Sequence, residues 1–397
     1  MTPRLVFDIG AAGLAGAALA CLGLAPSAGG EASRLTRRPD GLTCLSVRSG
    51  FDLLLTQMDW EAGSEVLVSA ITIPDIARIL REHGLVPVPV DIDPETLEVD
   101  MAFLARAATT RTRAVLLTHL FGAVADFNPA IAWARGSGLV VIEDCAQSYA
   151  ADGFLGSDDS DVRMFSFGPI KTATALGGAV LLFRDPGLAS RMKARHLSWP
   201  LQPAGAYLGR VAKHFVLLPL RRPWAYGAAV AILRILGRDH DEMVTRLGRG
   251  FAGGDFFARL RHRPCRALER TLDRRLATYD PGRVQSRARA GELLLSRVAS
   301  LKPLGFRAGR RTHWIYPLRT PEPDGLILLL RAAGFDATRA SSSLFAVKAE
   351  GGREEARAAL SAMDEVVYVP AYPQMGERRL ERLAEVLNEF SGATAGA

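Results

Sequence analysis

The sequence predicts an α/β fold: a mostly parallel central sheet with helices on both faces, plus a small C-terminal α+β unit. Three observations carry this. Between Cys44 and about Ala194, continuous apolar runs alternate with helical stretches, the pattern of strands buried on both faces. From His313 to Phe390 a strand, Trp314 to Leu318, and a closing helix from Gly376 give a smaller mixed pattern. Between the two, Leu197 to Arg311 breaks the rhythm with a basic, partly apolar segment. A chain of 397 residues, 48% hydrophobic and 23% charged, can bury a large core and a smaller companion, which excludes a disordered polymer. The expected divisions are an apolar lead-in at 1–43, a large α/β domain at 44–196, a helical insertion at 197–311 and a small domain at 312–397.

Leu5 to Ala25 is apolar except for Asp8. Arg4 before it and the small residues Ala25-Pro26-Ser27-Ala28 after it suit a cleaved signal. Asp8 leaves about 17 apolar residues, the lower edge of a membrane span, so a membrane-associated or packed helix is the other reading. The strands that follow are Glu65 to Ala70, Leu85 to Asp91, Arg113 to His119, Gly138 to Asp144, Arg163 to Phe167 and Gly178 to Phe183. Helices fall at Asp75 to His83 and Pro129 to Gly136. In the insertion, Phe215 to Leu236 is apolar, edged by Arg221, Arg222, Trp224 and Arg238, and broken by Pro219 and Pro223. It reads as an interfacial hairpin on an anionic leaflet, at 215–238, or as a hydrophobic dimer or domain interface.

The formal charge of +7 is uneven: Leu201 to Arg311 holds 23 Lys/Arg against 8 Asp/Glu, leaving the remainder acidic. An anionic membrane surface or acidic substrate suits that segment; nucleic acid does not, because it lacks regularly interleaved aromatics and any known nucleic-acid motif. The four cysteines show no CxxC pair or metal-ligand spacing, so no metal site is expected, and a reducing, cytoplasmic setting is, peripheral on the inner membrane face if the hairpin docks there.

Only five of the 49 basic residues are lysine, so arginine serves almost wherever a cation suffices. Lys171 lies in an apolar stretch, Phe165 to Gly178, where desolvation would lower its pKa and free the neutral amine that Schiff-base chemistry needs. Guanidinium cannot substitute. Asp144 closes an apolar strand at its carboxyl end, where open α/β sheets bind ligands. It suits either a carboxylate for a protonated pyridine nitrogen or a helix N-cap. Ser49-Gly50-Phe51 precedes the apolar run Leu53 to Leu55, and backbone amides there would hold a phosphate, with Ser166 adding a hydroxyl. His313, Arg319 and Arg339 could bind a carboxylate or phosphate, or be ordinary surface groups.

In order, Ser49-Gly50, Glu65 to Val68, Val90 to Leu97, His119-Leu120-Phe121-Gly122, Ile142 to Gln147, Phe165-Ser166-Phe167 and Lys171 resemble the DegT/DnrJ/StrS aminotransferases. The likeness runs from about Arg48 to Lys193 and returns at Val366 to Pro373, similar to the family's Leu-Pro-x-Tyr-Pro motif. The resemblance implies a fold-type-I enzyme using pyridoxal 5'-phosphate (PLP), shared between two subunits of a homodimer. It implies catalytic roles for Lys171, which holds the cofactor, and Asp144, which pairs with its ring nitrogen. Gln147 matches a ring contact, and Ser166 with Ser49-Gly50-Phe51 the phosphate site. His119 matches a family histidine of open role.

Departures limit the substrate more than the chemistry. Ile73 stands where the family stacks an aromatic residue, forgoing roughly 0.5–1.5 kcal/mol of stacking; Phe51 is a candidate replacement. Thr172-Ala173 follow the lysine instead of Asn-Leu, and the Tyr-Asn-Tyr-Arg-Met stretch of the partner's site has no counterpart. The expected activity is transfer of an amino group from an amino acid to a keto or aldehyde acceptor, sugar-nucleotide or lipid-linked. The alternative is a non-catalytic, membrane-associated relative of the fold.

Overall fold

The computed structural model of the protein describes residues 1–24, 35–241, 255–339 and 344–395. Ala25 to Ala28, read above as a cleavage site, lie outside the described residues. The chain opens with helix α1 (Ala11–Cys21), then β1 (Gly41–Cys44), α2 (Val47–Met58), β2 (Glu65–Ser69), β3 (Ile71–Thr72) and α3 (Pro74–Glu82). Next come β4 (Val86–Val90), α4 (Met101–Ala107), β5 (Thr112–Thr118), β6 (Ala123–Val124), α5 (Asn128–Gly136), β7 (Val140–Asp144), β8 (Val162–Ser166), β9 (Ala179–Phe183) and α6 (Pro186–Leu197).

Seven of these strands form one sheet in the order β1-β9-β8-β7-β5-β2-β4. The five from β4 to β8 are parallel; β9 and β1 are antiparallel at one edge. β1 is the strand that sequence reading passes over, because four residues after a Pro-Asp pair carry too short a pattern to register. Along the parallel strands the side chains alternate between two cores. Leu67, Val115 and Val141 face one layer; Val66, Val68, Leu116 and Ile142 face the other.

The parallel register fixes the functional edge. Thr118 pairs with Asp144, and Asp144 with Met164, so the carboxyl ends of β5, β7 and β8 lie together. Because β9 runs antiparallel to β8, with Ser166 opposite Ala179, the chain between them must turn back at that same edge. Lys171 sits in that turn.

The remaining helices are α7 (Ala204–Leu217), joined by a 3-10 turn at Leu218–Arg221 to α8 (Pro223–Ile235), then α9 (Phe256–Leu260), α10 (Arg266–Ala277) and α11 (Gly282–Arg297). The C-terminal part holds β10 (Arg310–Arg311), β11 (Tyr316–Arg319), α12 (Pro323–Ala332), β12 (Phe345–Ala346), α13 (Arg357–Asp364), β13 (Val366–Val369) and α14 (Glu377–Ala395), with β11 antiparallel to β13. Of the readings given to the first apolar run, its helical part is a packed helix. α1 lies against α7 and α10, burying Leu14 and Ala17 with Phe165, Leu268 and Leu272. Among the described residues no helix is long and apolar enough to cross a membrane. α7 and α8 do not pair along their length as a hairpin; α7 packs on α1, and α8 is anchored by its own buried Tyr226 and Val230.

Candidate active site

Asp144 ends β7 as a buried carboxylate. Its Oδ1 accepts the amide of Ala146 at 2.9 Å, as a cap would, but Oδ2 makes no hydrogen bond among the described residues. Burial pushes the carboxyl above its ordinary range, against the pull of that amide and of Lys171, His119 and Arg48. Lys171 is its counterpart. Burial draws the ammonium down to about 7, with Asp144 opposing and Arg48 assisting. Each group is thus uneasy in its charged form, and each feels the other's charge.

The lysine turn is tightly knit. The amides of Lys171 and Ala175 donate to Gly168 O (3.0 Å) and Phe167 O (3.1 Å), and Thr174 Oγ1 donates to Gly168 O at 2.6 Å. Ala173 takes a left-handed φ of 54°, costly for a residue with a Cβ, and its amide donates to Asp8 Oδ2 at 2.8 Å. Asp8 also accepts from Tyr279 Oη at 2.6 Å and pairs with Arg283. The N-terminal strap therefore braces the lysine turn.

Sequence reasoning missed the groups that come from afar. The Lys171 Nζ lies 4.0 Å from the centre of the Trp314 ring, whose Nε1 donates to Ile170 O at 2.8 Å. Arg287 donates to Thr172 Oγ1 and Thr312 O, both at 3.0 Å. Lys171, Trp314 and Arg287 line a cavity of about 70 Å³ with Arg4, Asp8 and Tyr316. The Arg4 Nη1 and Tyr316 Oη are buried there without a hydrogen-bond partner among the described residues. The ring face favours the lysine's cation by about 0.5–1 kcal/mol, against roughly 1.4 kcal/mol for one pKa unit. Trp314→Leu should therefore lower the midpoint of Lys171 amine labelling by about half a pH unit. A midpoint that stays fixed or rises would show the ring does not act on the amine.

The phosphate-loop residues sit differently from expectation. α2 begins at Val47, one turn earlier than its apolar run suggests, because Ser46 caps it: Ser46 Oγ accepts the Ser49 amide at 3.1 Å. The Gly50 amide already donates to Ser46 O at 3.0 Å, and Phe51 is a core residue packed with Leu53 and Val66. Gly50 is glycine for another reason: a Cβ there would lie 2.5 Å from Leu181, so the helix could not approach the sheet. Ser49 is buried, its hydroxyl 2.9 Å from that of Ser46.

The helix end nonetheless points at the site, since Arg48 in its first turn acts on both Asp144 and Lys171 and is tied to Asp75 of α3. Ile73, half-buried, is the residue just before α3. Ser166 is half-buried at the end of β8, with no hydroxyl hydrogen bond among the described residues. Gln147 is buried and its Oε1 accepts the amide of Phe121 at 2.9 Å, holding that residue's φ of 58°.

His119 is a structural group here. Its Nδ1 accepts the Ala125 amide at 3.3 Å and its Nε2 meets Glu143 Oε1 at 2.8 Å. Burial works to raise the Glu143 pKa, but His119, the Ser157 amide and Ser160 outweigh it and hold the carboxyl below its usual range. His313 pairs with Glu292 at 2.8 Å, Arg319 with Glu365 at 2.5 Å, and Arg339 reaches the Asp364 carbonyl. None of the three lines the Lys171 cavity.

Comparison with known proteins bears on this arrangement. A 161-residue stretch is 37% identical to the UDP-2-acetamido-2-deoxy-3-oxo-D-glucuronate aminotransferase of Pseudomonas aeruginosa, covering 38% of this chain and 45% of that one. A 154-residue stretch is 33% identical to the GDP-perosamine synthase of Caulobacter vibrioides, covering 38% and 42%. The chain thus spans less than half the length of these curated relatives. The structure of ntda from Bacillus subtilis, solved with the cofactor PMP bound, superimposes with a TM-score of 0.66 at 14% identity, over 96% of this chain and 82% of that one. A likeness that distant shows the fold alone, and it extends well past the matched stretch. Residues 31–199 match the family model described as the DegT/DnrJ/EryC1/StrS aminotransferase family, so that stretch of the chain is similar to that family.

Proposed function

We propose that the protein is a PLP-dependent aminotransferase acting on a keto-sugar nucleotide, with an amino acid as donor. The observation that carries this is the pairing of Lys171 and Asp144 at the carboxyl edge of the sheet, where burial favours the neutral amine of Lys171 and leaves the Asp144 carboxylate in need of a nearby cation. The acceptor class rests on the two relatives, whose names are those of nucleotide-sugar enzymes.

The residues fit the cofactor. Asp144 keeps one oxygen without a hydrogen bond among the described residues, ready for a cationic ring nitrogen. Ser166 offers a hydroxyl, and the positive N-terminal end of α2, capped by Ser46, suits a phosphate dianion. Gln147, its oxygen engaged by Phe121, has amide hydrogens left to donate to the ring, and Ile73 at the start of α3 can cover one face. When bound, the cofactor supplies an electron sink for charge developing at the substrate carbon.

The chain's own groups do the rest. Lys171, neutral in a useful fraction near pH 7, anchors the cofactor and takes or returns the proton at the substrate carbon. Trp314 limits where its Nζ can go. Asp144, as a carboxylate, would hold positive charge at the ring nitrogen of a bound cofactor. A non-catalytic binding module would need neither a desolvated lysine nor a buried acid to oppose it. The shared-site resemblance extends the proposal to a homodimer, checked by analytical ultracentrifugation.

The test uses purified protein incubated with PLP. Near-visible absorbance should appear, and borohydride should remove it and leave the cofactor's mass on Lys171. In the cofactor-free protein, Lys171 acylation should be half-maximal near pH 7, where its pKa lies, and fall away below that pH as the amine protonates. Cofactor mass on another lysine, or none, refutes the assignment.

A further inference from the structure

We infer that α8 is an interfacial helix that docks the protein on an anionic lipid surface. A helix on a water-soluble body normally turns its apolar side inward and its charges outward. α8 instead leaves an apolar side facing outward as well as one facing inward. Trp224, Ala228, Ala231, Ile232 and Ile235 recur at the spacing of one helical face, and all five are exposed, Trp224 by 76% and Ile235 by 84%. Tyr226 and Val230 on the opposite side are buried. Leu236 extends the outward apolar face past the helix end.

Cations rim that face. Arg222 precedes the helix, Arg234 stands beside the apolar stripe and Arg238 follows it; all three are exposed and without a carboxylate partner among the described residues. No Asp or Glu occurs from Pro186 to Arg238, a run of 53 residues with nine Lys/Arg. An apolar stripe with an edge Trp and flanking Arg matches the headgroup boundary of an anionic leaflet. A second copy of this chain is the poorer occupant. Two copies meeting through this face would bring Arg222, Arg234 and Arg238 against the same cations, with no acid in the segment to answer them.

The experiment is flotation of the full-length protein with phosphatidylcholine vesicles, with and without phosphatidylserine. Binding should require the anionic lipid and weaken as salt rises. Each basic residue near such a surface contributes about fivefold to partitioning, so changing Arg222, Arg234 and Arg238 to Gln should weaken binding about 100-fold. Trp224→Ser with Ile235→Ser should abolish binding while the circular dichroism spectrum is kept. Failure to float with anionic vesicles, or equal binding to neutral ones, overturns the inference. So does a Trp224→Ser, Ile235→Ser variant that dissociates from dimer to monomer, since the face would then belong to a protein interface.

Discussion

Lys171→Arg is expected to lower kcat by about 10⁴-fold, the upper end of what a positioned acid–base group supplies. The substitution is chosen because it keeps a long cation over the Trp314 ring and leaves the turn, braced through Ala173 and Thr174, unaltered. What it removes is the neutral amine. Burial brings the lysine down to about 7, whereas a guanidinium stays protonated in the same place. The variant should therefore fold, unfold at the wild-type denaturant midpoint and still fail, in steady-state assay and in single-turnover proton exchange. Asp144→Asn sharpens the reading. Asparagine keeps an oxygen for the Ala146 amide but deletes the charge that raises the lysine's pKa. The labelling midpoint of Lys171 should then move below its wild-type value near 7. A midpoint that moved upward would mean that Asp144 and Lys171 do not share a site.

How far the sequence alone reaches is visible residue by residue. Lys171 stands out because lysine is so rare in the chain, and Asp144 because it ends an apolar strand; both signals are local, and both residues sit at the sheet edge where such signals point. The helix carrying Ser49-Gly50-Phe51 starts about one turn earlier than its apolar run suggests. The cap is Ser46, and the amphipathic pattern takes hold only at Phe51, so periodicity alone starts the helix late. Gly50, which looks like a cradle for an anion, answers instead to Leu181 on β9, a contact between residues 131 positions apart.

Trp314, Arg287, Arg4 and Asp8 carried no sign of the lysine site in the pattern for the same reason. Tertiary packing brings a residue to the site from 143 positions after the lysine, or from 167 before it, and no spacing rule encodes that. α8 is the converse case: its apolar composition was plain, and only the fold shows which side of it is left outside.

The strap that carries Arg4 gives the largest expected effect on stability. Arg4 and Asp336 form a two-pronged pair at 2.6 and 2.9 Å, with side chains only 3% and 0% exposed, and Tyr226 of α8 donates to the same carboxylate. His240 approaches it at 3.3 Å. Burial alone would raise the Asp336 carboxyl, but His240, Arg4 and Tyr226 outweigh it and hold the group well below the usual range. A depressed carboxyl stabilises the fold above the unfolded pKa, about 3.9, and that contribution is lost as pH falls through the lower folded value. At neutral pH the pair is fully engaged; Arg4 also meets Asp241 at 2.5 Å, so removing Asp336 leaves the buried guanidinium only that partly exposed carboxylate.

Asp336→Asn should cost about 3–5 kcal/mol in denaturant unfolding at pH 7, and Arg4→Leu a similar amount. Arg4→Leu combined with Asp336→Leu should cost less than the sum, because neither charge is then left alone. The same single change should loosen the strap behind Asp8, which braces Ala173 beside the lysine, so cofactor retention should fall along with stability. An Asp336→Asn protein within about 0.5 kcal/mol of wild type would show that the pair is not what seats the strap.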